Sequence, residues 1–300
     1  MKKSDLCTPA TLVDAAKLRR NIFDAQKTCA DGGKRLVPMT KTHKSSYIAR
    51  LQLEAGAAGL LVGSILEAER FAALQPGSIA FAYPFIGERN LERMHAVGKR
   101  VPIFVSLDSP ETATVYEDFC ARHDTTWRYL LIVDTGLHRF GVEPEIAGEI
   151  VQAILQATPH LEFAGISSHP GQVYAASSAA EAEACAREEE ERLARAYASV
   201  QAAGFSCAAV ESGSTPTLAF EARSRVITTV RPGNYVFYDT VQTTLGADVD
   251  RCALTVLASV LARRGERKWI IDAGSKCLGL DKGAHGNARI TGYGTVVWRE

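Results

Sequence analysis

The chain has 300 residues, 46% hydrophobic and 23% charged, the balance of an ordinary soluble enzyme with a sizeable core. Lys+Arg and Asp+Glu each number 34, so no net field draws it to nucleic acid or to an anionic membrane. The seven cysteines include no CxxC pair and are expected to be reduced thiols in a cytoplasmic protein; the N-terminus has two lysines but no long apolar run, so neither signal peptide nor membrane span is expected.

Residues 11–13 read as a short strand, and Asp14 is placed to cap a helix over 15–29 that Asp31-Gly32-Gly33 stops. From there short apolar runs alternate with amphipathic segments. Strands are predicted at 37–41, 59–62, 78–82, 101–105, 129–133, 163–167, 207–211 and 226–230. Helices are predicted at 46–55, 64–74, 88–97, 110–122, 144–156 and 179–203, with a short one after Pro216. Eight such strands are what a closed parallel barrel requires, whereas the rival open doubly wound sheet usually stops at five or six. The prediction is an α/β protein with a (β/α)8 TIM barrel over 15–235. Runs at 256–261, 269–272 and 290–298 are β-like and joined by glycine-rich turns, so 236–300 reads as a smaller C-terminal β domain, joined by a strand from 1–14. The run Glu188-Glu189-Glu190-Glu191-Arg192 reads as the solvated face of a long helix.

In a barrel the chemistry collects where strands end. Lys41 closes the first strand, before Ser45 caps the next helix. Partly desolvated and near other cations, it would become nucleophilic toward carbonyls. The fifth strand leads into Val133-Asp134-Thr135-Gly136-Leu137-His138-Arg139-Phe140-Gly141, whose glycines permit a turn that aims Arg139 inward. His169 and Tyr174 follow the sixth strand. Gly213-Ser214-Thr215 follows the seventh, and Arg231-Pro232-Gly233-Asn234-Tyr235 the eighth, as turns suited to a phosphate. Lysine, arginine and phosphate-type loops in these places describe a pyridoxal 5'-phosphate pocket.

The segments Met39-Thr40-Lys41-Thr42-His43-Lys44, VDTGLHRFGV, SGSTPT, VRPGNYVFYD and DAGSKCLGLDKG resemble the D-threonine aldolase and D-serine dehydratase family, which shares the alanine racemase barrel. The resemblance runs from about residue 8 to about residue 294. It implies that Lys41 is the Schiff-base lysine and that Arg139 faces the cofactor's phenolic oxygen. Thr215, Gly233 and Asn234 would contact the phosphate, with Gly213, Ser214 and Tyr235 beside them. Tyr174 would line the cofactor site and Arg231 would lie near the pyridine nitrogen. Two features depart from the family. Val37-Pro38-Met39 stands where Arg-Pro-His is usual. The His-x-Cys or His-x-Asp pair that holds zinc or manganese in metal-binding members is not found before Glu300, and His285 and Cys277 do not have its spacing, so no metal ligand is assigned.

The implied activity is a PLP-dependent lyase acting on a small D-amino acid with a β-hydroxyl, by aldol cleavage or dehydration, in a homodimer. Lys41 is the expected acid or base at Cα, and His169 the candidate for the β-hydroxyl proton. Two alternatives remain open. One is an amino-acid racemase with Tyr238 or Tyr293 as a second base, and the other a PLP-binding homeostasis protein that is not an enzyme.

Overall fold

The computed structural model describes residues 2–279 and 289–296. His285, residues 280–283 of the last motif and residues 297–298 of the last predicted strand lie outside the described residues. The N-terminal strand is β1 (Ala10–Val13), and Asp14 caps α1 (Ala15–Asp31) by accepting from the Ala16 and Lys17 amides. The helix ends at Gly32, where a Cβ would collide with the Ala222 carbonyl.

Strands and helices then alternate as predicted. They are β2 (Arg35–Leu36), α2 (Ser46–Glu54), β3 (Leu60–Val62), α3 (Ile65–Phe71), β4 (Ile79–Phe81), α4 (Glu88–Gly98), β5 (Ile103–Leu107), α5 (Pro110–Arg122), β6 (Trp127–Ile132), α6 (Ala147–Ala157), β7 (Leu161–Ser167), α7 (Ala179–Ala202), β8 (Ala209–Ser212), α8 (Leu218–Glu221) and β9 (Thr229–Val230). The strands form one parallel sheet in the order β2-β9-β8-β7-β6-β5-β4-β3. Its two ends meet through the bridge Met39–Leu61, with the Ala58 amide donating to Leu36 O (2.8 Å) and the Leu61 amide to Pro38 O (2.9 Å). The sheet is therefore curled into a TIM-like barrel.

The strand expected at 37–41 is a correction. The regular strand ends at Leu36: Val37 and Met39 still donate to Val230 O (3.0 Å) and Pro232 O (3.0 Å), but Pro38 between them has no N–H to give, and the chain turns into a 3-10 segment, Thr40–Thr42. Lys41 sits on that turn, and Ser45 then caps α2 at the Ile48 amide. Successive strand residues alternate between two layers. Leu60, Val62, Ile79 and Phe81 pack outward in the main core with the helices, while Leu61 and Ala80 join Val37 in a separate cluster inside the barrel.

Beyond the barrel, α9 (Thr240–Thr244) leads to β10 (Leu254–Leu257), which pairs antiparallel with β1, Ala10 opposite Leu257. A second antiparallel pair is β11 (Val260–Arg264) with β12 (Lys268–Ile271). The run predicted as one strand at 256–261 is thus split around Ser259, whose amide donates to Asp272 Oδ1 (2.9 Å). Among the described residues 289–296 no strand is present. No helix among the described residues is long and apolar enough to cross a membrane.

The glutamate run is also corrected. The buried positions of α7 are Ala182, Ala186, Glu189, Leu193, Ala196 and Val200, one stripe at helical spacing, and Glu189 falls within it.

Candidate active site

A cavity of about 670 Å³ opens where the barrel strands end, and Lys41, Arg139, His169, Tyr174, Gly213, Ser214, Arg231, Gly233 and Asn234 all line it. The predicted residues come together with two exceptions, Thr215 and Tyr235. Tyr235 is fully buried, and its hydroxyl accepts from Gln52 Nε2 (2.9 Å) on α2, so its ring belongs to the barrel wall. Thr215 is buried beside the cavity, and its Oγ1 has no hydrogen-bond partner among the described residues.

Lys41 is open to the cavity but enclosed by protein around it. Desolvation, and then the charge of Arg139, pull its pKa below the usual lysine range, with Glu67 opposing. Glu67, on α3, is a site residue that the sequence reading missed. Only 4% exposed, it accepts from Thr40 Oγ1 (2.7 Å), the Gly63 amide (3.2 Å) and Ser64 Oγ (2.9 Å). The Ser-x-x-Glu spacing of Ser64 and Glu67 is a capping-box signal that could have marked the helix start, but not the proximity to Lys41.

The loop bearing Arg139 is organised by Asp134. Desolvation works against its ionisation and is outweighed by the Gly136 amide (2.8 Å), the His138 amide (3.1 Å) and the His138 ring (2.9 Å), which hold the carboxyl below its usual range. Gly141, at φ 112°, allows the loop to close, since a Cβ there would lie 2.6 Å from Asp134 N. Arg139 is left at the cavity mouth over the Phe140 ring (5.5 Å). That ring stacks with Tyr83, whose hydroxyl donates to the Gly63 carbonyl.

His169 Nδ1 lies 3.1 Å from Gly213 O. A carbonyl can only accept, so Nδ1 carries the hydrogen and Nε2 keeps a lone pair. Desolvation foremost, then the Lys41 charge, lower its pKa to about 4 against the pull of that hydrogen bond, so the ring is neutral at neutral pH. The Tyr174 phenol is pushed up to about 12 by burial, with the Thr215 amide pulling the other way.

Arg231 is 5% exposed, with Nη2 2.5 Å from Glu211 Oε2. That contact is poorly aligned for a hydrogen bond, and neither Nε nor Nη2 has an acceptor in hydrogen-bond geometry among the described residues. A Cβ on Gly213 would collide with the Arg231 backbone, so the two loops are in close contact. Gly233 has φ −124°, which any residue adopts; a Cβ there would instead press on Met39 O (3.0 Å) and Thr42 Oγ1 (3.2 Å), next to Lys41. Among the described residues no group of three or more His, Cys, Asp or Glu side chains could hold a metal.

Residues 13–241 match the family described as alanine racemase, N-terminal domain. The chain is 30% identical to D-threo-3-hydroxyaspartate dehydratase of Delftia sp. (strain HT23), covering 97% of this chain and 77% of that one. It is 26% identical to D-serine dehydratase of Dictyostelium discoideum, over 93% of this chain and 75% of that protein. Among solved structures, D-threonine aldolase from Filomicrobium marinum superposes with a TM-score of 0.86 at 26% identity, over 94% of this chain and 77% of that one. The chain belongs to the alanine racemase N-terminal domain family, in the group that holds the D-threonine aldolases and D-serine dehydratases.

Proposed function

We propose that the protein is a PLP-dependent lyase of small D-amino acids bearing a β-hydroxyl, with the cofactor held at Lys41. The observation that carries this reading is the convergence on one cavity of a lysine of lowered pKa, Arg139, and a buried Arg231 whose Nε has no acceptor. A heteroaromatic ring nitrogen would supply that acceptor. Gly213, Ser214, Gly233 and Asn234 would take the phosphate, with Thr215 contributing its unpartnered Oγ1, Tyr174 bounding the site, and Tyr235 acting only through its main chain.

When bound, the cofactor supplies an electron sink that weakens the bonds at the substrate Cα. The protein supplies the rest. Desolvation and Arg139 favour the neutral Lys41 amine, which makes it a fit proton acceptor or donor at Cα. His169 Nε2 is free to take the β-hydroxyl proton. Tyr83 lines the cavity with its ring stacked on Phe140, and would limit water there. The division into a barrel over 15–235 and a β domain over 236–300 with 1–14, a homodimeric state and a cytoplasmic setting belong to the same proposal. Racemisation is the second reading, favoured by Tyr238, which lines the same cavity.

Borohydride treatment of the purified protein with PLP should fix the label on Lys41, and Lys41→Ala should lose both label and visible absorption. Incubation with D-threonine, D-serine, D-threo-3-hydroxyaspartate and D-alanine, with manganese, zinc or chelator, should give aldehyde or keto acid from β-hydroxy substrates. L-alanine as the sole product would favour racemisation, and a colourless protein that cannot be loaded would remove the cofactor assignment.

A further inference from the structure

Directly behind the Gly213–Thr217 loop lie two carboxyl groups that the proposed chemistry does not use. Glu189 projects from α7 and is 0% exposed, and Glu221 ends α8 at 2%. Ala186 and Glu190, beside Glu189 on α7, line one cleft with Glu221, which brings the two carboxyls within reach of each other. On the outer oxygens, the Ser212 hydroxyl donates to Glu189 Oε1 and the Thr217 hydroxyl to Glu221 Oε1, both in short contacts. On the inner side, Glu189 Oε2 and Glu221 Oε2 have no protein N–H or O–H directed at them among the described residues. Two bare carboxylates that close and that buried would repel each other, and a single proton between them would remove the repulsion.

The pair is wired to the cavity through Thr217. Its single hydroxyl hydrogen goes to Glu221, so the Ser214 hydroxyl, 2.8 Å from Thr217 Oγ1, must donate to Thr217. The Ser214 amide also points at Thr217 Oγ1 (3.2 Å). In this state Ser214, which lines the cavity, turns only oxygen lone pairs toward it. If the proton settles on Glu221 Oε1 instead, the hydrogen bond between the carboxyls is given up and Glu189 carries the negative charge, held by the Ser212 hydroxyl; the chain then reverses, Glu221 donating to Thr217 and Thr217 to Ser214, and the Ser214 hydrogen is released into the cavity. No covalent bond other than O–H is made or broken, and the proton count of the pair is unchanged.

We propose that Glu189 and Glu221 share one proton, and that this pair, acting through Thr217, sets whether the Ser214 hydroxyl donates or accepts a hydrogen bond in the cavity. An anion at the Gly213–Ser214 loop favours the donor state, so anion binding and retention of the pair's proton are linked. Both residues are positioning residues, since neither lines the cavity. Burial, and for Glu189 then the charge of Glu221, raise both above the ordinary glutamate range, so the proton is held as pH rises past that range and lost above it. The titratable groups that interact with the pair are Glu190 and Cys185 on α7, Cys29 on α1 and Tyr174 after β7. Glu183, Arg187 and Arg223 line a surface cleft on the outer side of Glu221. Arg231 on the neighbouring strand is engaged with Glu211.

The shared proton is independent of the cofactor assignment; only its coupling to an anion rests on the proposed phosphate site, and the test separates the two. Infrared spectra of the protein with 13C-labelled glutamate should show one protonated carboxyl stretch at neutral pH, absent in Glu189→Gln and in Glu221→Gln. In those variants an amide N–H replaces the shared hydrogen, so the pair stays bonded. Absence of the band from the wild type, which needs no variant to fold, overturns the shared proton. Binding of inorganic phosphate and of PLP, followed by calorimetry, should weaken about tenfold more in the wild type than in Glu221→Gln between about pH 6 and about pH 9. Parallel curves for both anions overturn the coupling to Ser214. Phosphate binding with the expected pH dependence, but no uptake of PLP, would support the coupling and remove the cofactor assignment.

Discussion

His169 and His43 are both held neutral, in opposite tautomers. His169 donates from Nδ1 to Gly213 O, whereas His43 Nδ1 accepts from the Ser45 amide (3.0 Å) and its Nε2–H turns to Gln52 Oε1 (3.2 Å). Of the two, only His169 lines the cavity, and its Nε2 keeps the lone pair. His169→Gln should lower kcat about 10²- to 10⁴-fold with PLP retention unchanged, checked by steady-state kinetics and absorption titration. Burial is the leading cause that takes both rings to about 4, below the ordinary histidine value of 6.5. The unfolded chain then binds more protons between those values, so stability is full above about pH 6.5 and falls as pH drops toward about 4. His43 alone would contribute on the order of 3 kcal/mol to that loss. Thermal unfolding against pH should show it, with a shallower acid limb in His43→Gln.

At the scale of elements, β7 and β8 leave no room for a side chain at Gly165 on β7. The β6–β7 register shifts there, with Tyr129 opposite Phe163 but Leu130 opposite Gly165. A Cβ at Gly165, where φ is 152°, would collide with the Ala209 carbonyl of β8. Gly165→Ala should therefore push β7 and β8 apart and lower stability by about 3 kcal/mol or more, measured by urea unfolding. Because β7 and β8 carry His169 and Ser214 at their ends, PLP affinity should fall in the same variant even where it remains folded.

Across the whole molecule, the first residues tie the two ends of the chain together. β1 pairs with β10, Thr8 Oγ1 contacts Ser259 Oγ (2.7 Å) and Asp272 Oδ2 (2.5 Å), and Lys17 pairs with Asp250 (3.0 Å). These contacts span more than 230 positions of sequence. Deleting residues 1–13 would leave β10 without its partner, and limited proteolysis should then cleave after residue 253 faster than in the full chain, while the barrel residues 35–230 stay protected.

The alternation of apolar runs with amphipathic segments was enough to give eight strands and their helices, because side-chain period depends on local geometry alone. Nearly all the residues picked from the strand ends line the cavity, because a barrel gathers whatever follows each strand. What sequence could not supply was the partner of each side chain. Pro38 halted the first strand and set Lys41 on a turn. Tyr235 pointed into the wall because Gln52 was there to meet it, and Glu67 reached Lys41 from another helix. In Glu188–Glu191 the composition suggested a solvated run, while the stripe from Ala182 to Val200 already put Glu189 on the buried side. Only the folded chain brought Glu221 against it, since the energy of a buried carboxyl depends on contacts far away in sequence.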